Sequence, residues 1–98
     1  MNAGPLPREQ RLDAIRAALA AALAPVELDV RDDSARHAGH AGARDGRGHF
    51  HVEIVSAAFA GLAPLARHRA VYAALGDLMA TDIHALSMRA RTPEEAAL

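Results

Sequence analysis

The fold is decided by residues 49–91, which read HFHVEIVSAAFAGLAPLARHRAVYAALGDLMATDIHALSMRAR. Apolar side chains occupy alternate positions from Phe50 to Ile54, which is the period of a strand with one buried face. A helix is predicted from Pro64 to about Met79, because proline is tolerated in the first helical turn. A second strand is predicted over residues 84–91. A strand, a helix and a strand of these lengths normally form a right-handed crossover between parallel strands.

The flanking residues predict two elements before this unit and one after it. Residues 8–24 predict an amphipathic helix that ends before Pro25, and residues 26–31 alternate apolar and charged side chains as a strand does. Residues 92–95 predict a helix start, with threonine as N-cap, proline at the first position and glutamate completing a capping box. The predicted core-facing stripes are Leu12, Ile15, Leu19 and Leu23 in the first helix and Leu65, Val71, Tyr72, Leu75, Leu78 and Met79 in the second.

These elements predict an α+β fold of order αββαβ, with a three-stranded mixed sheet and helices packed on one face. The 98 residues are expected to form a single domain. Residues 1–7 carry proline and glycine and are expected to be a flexible leader. Residues 32–48 are rich in glycine and polar side chains without an apolar period, so a mobile loop is expected there.

Composition excludes several classes of protein. Cysteine is absent, which excludes disulfides, thiol nucleophiles and a Cys-ligated metal site built from this chain alone. The formal net charge of −1 gives no overall positive field for nucleic acid or an acidic membrane. No nucleophile with its base, phosphate loop or carboxylate pair is apparent, so we predict no enzyme. No signal peptide or bilayer-spanning stretch is present, and a cytoplasmic protein without membrane contact is expected.

Histidine is the residue type that suggests a site. Of six histidines, His37, His40, His49 and His51 lie in or beside the glycine-rich loop, and His84 opens the last strand. Imidazole is the commonest side-chain ligand of borderline transition metals, so a loop histidine and a strand histidine could converge on one ion or cluster. A solvated loop histidine is the ordinary alternative. A mononuclear zinc, copper or nickel site built from the four loop-side histidines is another.

Arginine suggests two further surfaces. The helix run Arg67-His68-Arg69 is open to three interpretations: a solvated face, a docking surface for a partner, or a phosphate contact. Arg67 and Arg69 could form a nucleic-acid-binding patch together with Arg89 and Arg91. Against it, no basic Gly-x-x-Gly loop is present, and Phe50, Phe59 and Tyr72 are the only aromatic side chains for base stacking.

The span from Asp32 to Pro93 resembles the BolA family. The matching pieces are Asp32-Asp33-Ser34 followed by His37, His49-Phe50, Val55-Ser56, Phe59-x-Gly61, Arg67-His68-Arg69-x-Val71-Tyr72, His84-Ala85-Leu86 and Thr92-Pro93. The resemblance implies a class II KH-like αββαβ fold. It also implies a heterodimer with a monothiol glutaredoxin that jointly holds a [2Fe–2S] cluster, for iron–sulfur trafficking or for iron or redox sensing.

The resemblance also assigns roles to individual residues. In such a complex the glutaredoxin supplies its cysteine and a bound glutathione thiolate. This chain would supply His84 and a loop ligand that corresponds to His37, with His40 as the competing choice three residues later. Docking would use Arg67, His68 and Arg69. Since neutral imidazole is lost as a ligand on protonation, near an ordinary pKa of about 6.5, such a cluster is expected to be sensitive to pH and to reduction. The resemblance leaves a KH-like nucleic-acid-binding transcriptional regulator, with DNA as a possible partner, as the alternative.

Overall fold

The computed structural model describes residues 6–34 and 48–98. The helices are α1 (Arg8–Leu23), α2 (Pro64–Leu75), α3 (Leu78–Thr81) and α4 (Pro93–Ala96), and the strands are β1 (Glu27–Asp32), β2 (Gly48–Val55) and β3 (Ile83–Arg91). A 3₁₀ turn covers Ala57–Phe59. The predicted order is confirmed, with β1 and β2 each extending one residue into the predicted loop. Most of the predicted leader and loop, residues 1–5 and 35–47, lies outside the described residues, and its mobility stays a prediction.

The sheet is mixed, as predicted, with β2 at its centre. β1 runs antiparallel to β2 and places Val30 opposite Val52. β3 runs parallel to β2 and places Met88 opposite Val52. Directly opposed residues share one face of a sheet, so these three side chains lie on the same side. That side also carries Leu28, Phe50, Ile54, Leu86 and Ala90.

The helices α1 and α2 cover this inner face. Ile15 and Leu19 of α1 and Val71 and Leu75 of α2 are buried with the sheet residues in one core, to which the 3₁₀ turn adds Phe59. The opposite, outer face carries exposed or half-buried polar side chains, namely Glu27, Asp29, Arg31, His51, Glu53, Ser87, Arg89 and Arg91. The predicted arrangement of helices on one face is therefore confirmed.

The second helix is shorter than predicted. It ends at Leu75, because Gly76 adopts a positive φ of 54° and its N–H caps the Tyr72 carbonyl. Positive φ is readily adopted by glycine, so the chain turns here and starts again as α3. The core-facing stripe was also wrong at two positions. Leu65 is 60% exposed and Tyr72 is 41% exposed, and Ala70 and Ala74 pack against the core beside Val71 and Leu75.

Smaller differences occur where α1 passes into β1. The helix ends at Leu23, followed by Ala24 in the left-handed region at φ 44°. Val26 is 67% exposed and precedes β1, so the buried alternation of the first strand starts at Leu28. The C-terminal prediction is confirmed: Thr92 and Glu95 form a reciprocal capping box around Pro93.

Gly48 permits close packing where β2 begins. A Cβ at this position would lie 2.6 Å from Cε2 of Phe50 and 2.8 Å from Oγ of Ser34. We expect Gly48→Ala to lower the free energy of unfolding by about 1–3 kcal/mol, the usual cost of overpacking. Urea unfolding measures it. Phe50→Leu removes the crowded ring atoms, so the cost of Gly48→Ala should shrink in that background. An equal cost in both backgrounds would contradict the steric explanation.

Candidate functional site

His84 lies at an irregularity in the sheet. Gly48 pairs with Ile83 and His49 pairs with Ala85. His84 is therefore an extra residue in β3 that has no paired residue in β2. An extra residue of this kind breaks the alternation of a strand and re-aims a side chain. Ile83 is buried, whereas His84 and Ala85 are both exposed. The irregularity therefore presents an imidazole at the edge of the sheet where β2 and β3 begin.

His49 is an aromatic neighbour of His84. The two ring centroids are 5.2 Å apart and the ring planes are tilted by 52°. His49 is 9% exposed, so its ring is held within the fold while that of His84 is accessible. A shallow pocket of about 220 Å³ extends from His49 along the sheet to Ser87 and includes Asp33.

The two ends of the loop meet at this edge. Ser34 Oγ accepts a hydrogen bond from the His49 N–H at 3.0 Å, and the Asp33 N–H donates to the His49 carbonyl at 2.7 Å. Asp32 Oδ1 accepts from the Ser34 N–H at 2.8 Å. His37 and His40 lie outside the described residues. The described residues on either side of the segment that carries them therefore meet beside His49.

Asp82 fixes the backbone that leads into His84. Its side chain is 2% exposed, and Oδ2 accepts from the Leu6 N–H at 2.6 Å and from Arg11 Nε at 3.3 Å. Its carbonyl accepts from the Gly48 N–H at 2.8 Å. Asp82 thus connects the start of β3 with α1 through its carboxylate and with the start of β2 through its carbonyl.

A polar network crosses the outer face next to the site. His51 Nδ1 lies 2.7 Å from Ser87 Oγ, and its Nε2 lies 3.3 Å from Glu53 Oε2. Arg31 donates to the same carboxylate oxygen at 3.1 Å. The hydrogen bond with His51 and the positive charge of Arg31 lower the pKa of Glu53 below its usual value. This network links all three strands.

Arg67 is bound within the chain. It makes four hydrogen bonds: Nε donates to the Leu62 carbonyl at 2.8 Å, and the two terminal nitrogens donate to the Ala90 carbonyl and, bidentately, to Glu95. A guanidinium has five N–H donors, so little donor capacity remains for a partner. Within the predicted docking residues 67–69, the Arg67 side chain therefore connects α2 to β3 and α4.

The other predicted contact residues occupy two sides of the molecule. On α2, His68 is half-buried and Arg69 is exposed. Arg89 and Arg91 belong to the outer face of the sheet, opposite the face that α2 covers. Docking through His68 and Arg69 stays a prediction. The four arginines considered for nucleic acid are divided between the helix side and the outer face.

The pairing of Arg67 with Glu95 gives a pH prediction. Hydrogen bonds from Arg67 and from the Thr92 backbone lower the pKa of Glu95 to about 2. A lowered folded-state pKa contributes stability that is complete above the unfolded value of 4.5 and is lost as the pH falls through about 2. The stability difference between the wild type and Glu95→Gln should therefore shrink across that window. Glu94→Gln, in the exposed neighbour, is the control, and a constant Glu95→Gln difference from pH 5 to pH 2 would contradict the assignment.

The alternative, a mononuclear metal site built from four histidines, can be compared with the structure only at His49 and His51, because His37 and His40 lie outside the described residues. Among residues 6–34 and 48–98, no group of three or more His, Cys, Asp or Glu side chains is arranged to hold a metal ion. His49 contacts His84 and His51 contacts Ser87 and Glu53, so these two do not converge. Within the same ranges, every helix is too short or too polar to span a bilayer.

Comparison with protein-family models decides the family. A model described as BolA-like protein matches residues 19–95. The chain belongs to the BolA family. The solved BolA domain of SufE1 from Arabidopsis thaliana has a TM-score of 0.78 and 43% identity, covering 92% of this chain and 99% of that domain. The α+β BolA fold predicted from the sequence is confirmed.

Individual BolA relatives differ in length and name. SufE-like protein 1, chloroplastic/mitochondrial, from Arabidopsis thaliana is 48% identical over 86 residues, covering 83% of this chain and 23% of that protein. BolA-like protein 1 from Homo sapiens is 45% identical over 82 residues, covering 84% of this chain and 58% of that protein. The chain thus spans less than two thirds of the length of each of these two relatives. The DNA-binding transcriptional regulator BolA of Escherichia coli (strain K12) is 42% identical over 77 residues, covering 79% of this chain and 70% of that protein.

Two features of this BolA chain were not anticipated from its sequence. The contact between His49 and His84 follows from parallel pairing, because strands joined by a crossover begin at the same edge. The sequence predicts both residues at the starts of their strands, so their contact could have been predicted from the parallel pairing. The hydrogen bond between His51 and Ser87 depends on register across the irregularity at His84, for which no local pattern exists.

Proposed function

We propose that this BolA protein partners a monothiol glutaredoxin and shares with it a glutathione-supported [2Fe–2S] cluster, for iron–sulfur trafficking or for iron or redox sensing. The observation that carries the proposal is the exposed imidazole of His84, set at the sheet edge by an extra residue in β3. The chain has no cysteine, so its contribution to a cluster is imidazole, and thiolates must come from elsewhere. Its donor chemistry therefore fits a shared cluster.

Each residue then has a defined task. His84 is the proposed ligand from β3, and His37 or His40 is the proposed loop ligand. The hydrogen bonds of Ser34 and Asp33 to His49 anchor the start of that loop next to His84. His37 follows Ser34 by only three positions in the sequence. A cluster held by two thiolates and two imidazoles supplies one-electron redox chemistry and labile ligation.

A partner role does not require catalysis by the BolA chain itself. We propose His68 and Arg69 as docking residues, since both are accessible on α2 and Arg69 can engage a carboxylate bidentately. Arg67 contributes by holding α2 on β3. We propose the cytoplasm as its location, although two relatives from Arabidopsis thaliana are named as chloroplastic/mitochondrial and chloroplastic.

Reconstitution tests this proposal. The purified chain is mixed with a monothiol glutaredoxin, glutathione, iron and sulfide, and the isolated complex is characterised by visible absorption and circular dichroism. We expect a one-to-one complex whose cluster spectrum differs from that of the glutaredoxin homodimer. Failure of the two proteins to associate, with or without iron, would refute the partner role.

DNA binding is the second candidate function. It is favoured by the 42% identity to an Escherichia coli protein named DNA-binding transcriptional regulator BolA. Arg89 and Arg91 on the outer face are the candidate phosphate contacts. Duplex DNA titrated at several salt concentrations tests it, since each phosphate contact that Arg89→Ala or Arg91→Ala removes should reduce the salt dependence.

A further inference from the structure

We propose that His49 and His84 together bind one divalent transition-metal ion of tetrahedral preference, such as Zn²⁺, in the BolA chain without its partner. Neither the loop histidines nor a second protein is needed for this site. Occupation of the site would withdraw His84 from the proposed cluster. The metal would therefore regulate the proposed function, and that part of the proposal rests on it.

The spacing of the two rings carries the inference. A Zn–N bond of about 2.0–2.1 Å places the ion about 3.2 Å from an imidazole centroid, and two such rings at a tetrahedral angle have centroids about 5.2 Å apart. The observed separation between His49 and His84 is 5.2 Å. The 52° tilt departs from a face-to-face stack, in which the ring nitrogens could not converge. The two rings thus already have the spacing that one ion requires.

The two histidines are held in different ways that suit a ligand pair. His49 is 9% exposed and lies in β2, with its backbone N–H bonded to Ser34 and its carbonyl to Asp33. His84 is exposed at the irregularity of β3, so an ion can reach the pair from solvent. A buried inner ligand and an exposed outer ligand would form a site that an ion enters from the His84 side.

The surroundings favour a cation and leave coordination positions open. Asp33, which carries a carboxylate, is one of the residues that line the same pocket as His49. Among the described residues no third His, Cys, Asp or Glu joins the two imidazoles in a metal-binding group. Two protein ligands leave two positions of a tetrahedral ion for other donors, so an ion held by this pair is expected to exchange readily.

Titration of the tag-free chain with Co²⁺ and Zn²⁺ at neutral pH tests the site. We expect one ion per chain and the intense visible absorption of tetrahedral Co²⁺, which Zn²⁺ abolishes by competition. His84→Ala and His49→Gln should each weaken binding at least about tenfold, since ligand loss costs no less than loss of an outer-shell partner. His51→Ala, which removes an imidazole from the same strand, and the double variant His37→Ala/His40→Ala should bind as the wild type does.

The possible outcomes separate this site from the other interpretations. Wild-type affinity in both His84→Ala and His49→Gln would overturn the proposal and show that the rings form a packing contact only. Loss of binding in His37→Ala/His40→Ala with retention in His49→Gln would overturn it in favour of the loop. His84 is exposed, so His84→Ala remains informative even if His49→Gln fails to fold.

Competition in the reconstitution then tests the regulatory part. Zn²⁺ added before iron and sulfide should reduce formation of the shared cluster in the wild type, while glutaredoxin alone assembles its own cluster at the same Zn²⁺ concentration. Metal binding without this competition would leave the site intact and overturn only its regulatory role. Failure to associate with glutaredoxin would concern the proposed function and not the metal site.

Discussion

Asp82→Ala is expected to lower the free energy of unfolding by about 3–5 kcal/mol, the usual cost of removing one partner of a buried ion pair. The carboxylate is 2% exposed and accepts from Arg11 Nε at 3.3 Å, and that arginine side chain is itself only 11% exposed. The substitution also removes the acceptor of the Leu6 N–H and of the Thr81 hydroxyl. Since whole domains of this size are stable by only about 5–15 kcal/mol, much of the fold's stability depends on one side chain.

Asp77 offers a matched control for Asp82. It is an exposed aspartate one helical turn earlier, and its side chain makes no capping hydrogen bond to α3. Asp77→Ala should change the free energy of unfolding by no more than about 0.5 kcal/mol, as is usual for surface substitutions. Urea unfolding followed by circular dichroism measures both variants. Similar small losses in the two variants would show that the buried ion pair is not a major stabilising contact.

His84→Ala is expected to abolish the shared-cluster spectrum while leaving the fold intact. The side chain is exposed, so its truncation should cost no more than about 0.5 kcal/mol of stability. If it is a cluster ligand, its loss removes one of four donors that neither water nor a neighbouring backbone group replaces with equal affinity. The variant should still associate with the glutaredoxin through the α2 surface, in the absence of iron.

His51→Ala is the matched control for the loss of an imidazole. His51 lies two residues after His49 in β2 and contacts Ser87 and Glu53 on the outer face. Its replacement should leave the cluster spectrum of the complex unchanged. Reconstitutions of the two variants, run in parallel and monitored by visible circular dichroism, measure the difference. A cluster of normal intensity with His84→Ala would exclude this residue as a necessary ligand.

The elements that the sequence predicted well are those whose partners are near in the chain or fixed by alternation. Phe50, Val52 and Ile54 alternate with polar residues, and all three are buried as expected. The capping box at Thr92 and Glu95 spans three residues and is formed as predicted. Local pattern suffices for such elements because the interactions that form them are local.

The elements that the sequence predicted poorly depend on distant partners or on small residues. Leu65 and Tyr72 were assigned to the core because they are large and apolar, whereas helix geometry brings Ala70 and Ala74 to that face. Arg67 belongs to a basic run, and its bidentate partner Glu95 lies 28 residues away. The helix face that contacts the core and the pairing of Arg67 with Glu95 are both defined only when α2, β3 and α4 are packed together.

The candidate site was predicted in part. His84 was singled out, and the structure places it exposed at the edge shared by β2 and β3. Its contact with His49 could have been deduced from the parallel crossover, but the extra residue that turns His84 outward has no sequence signature. Roles for His37 and His40 stay predictions, because both lie outside the described residues.

Native mass spectrometry of the reconstituted complex tests the shared cluster directly, since it weighs the assembly with its ligands bound. We expect a single species containing one BolA chain, one monothiol glutaredoxin, one glutathione, two iron and two sulfide ions, which His84→Ala fails to form. A spectrum with only free BolA chain and cluster-loaded glutaredoxin homodimer would contradict the proposed shared cluster.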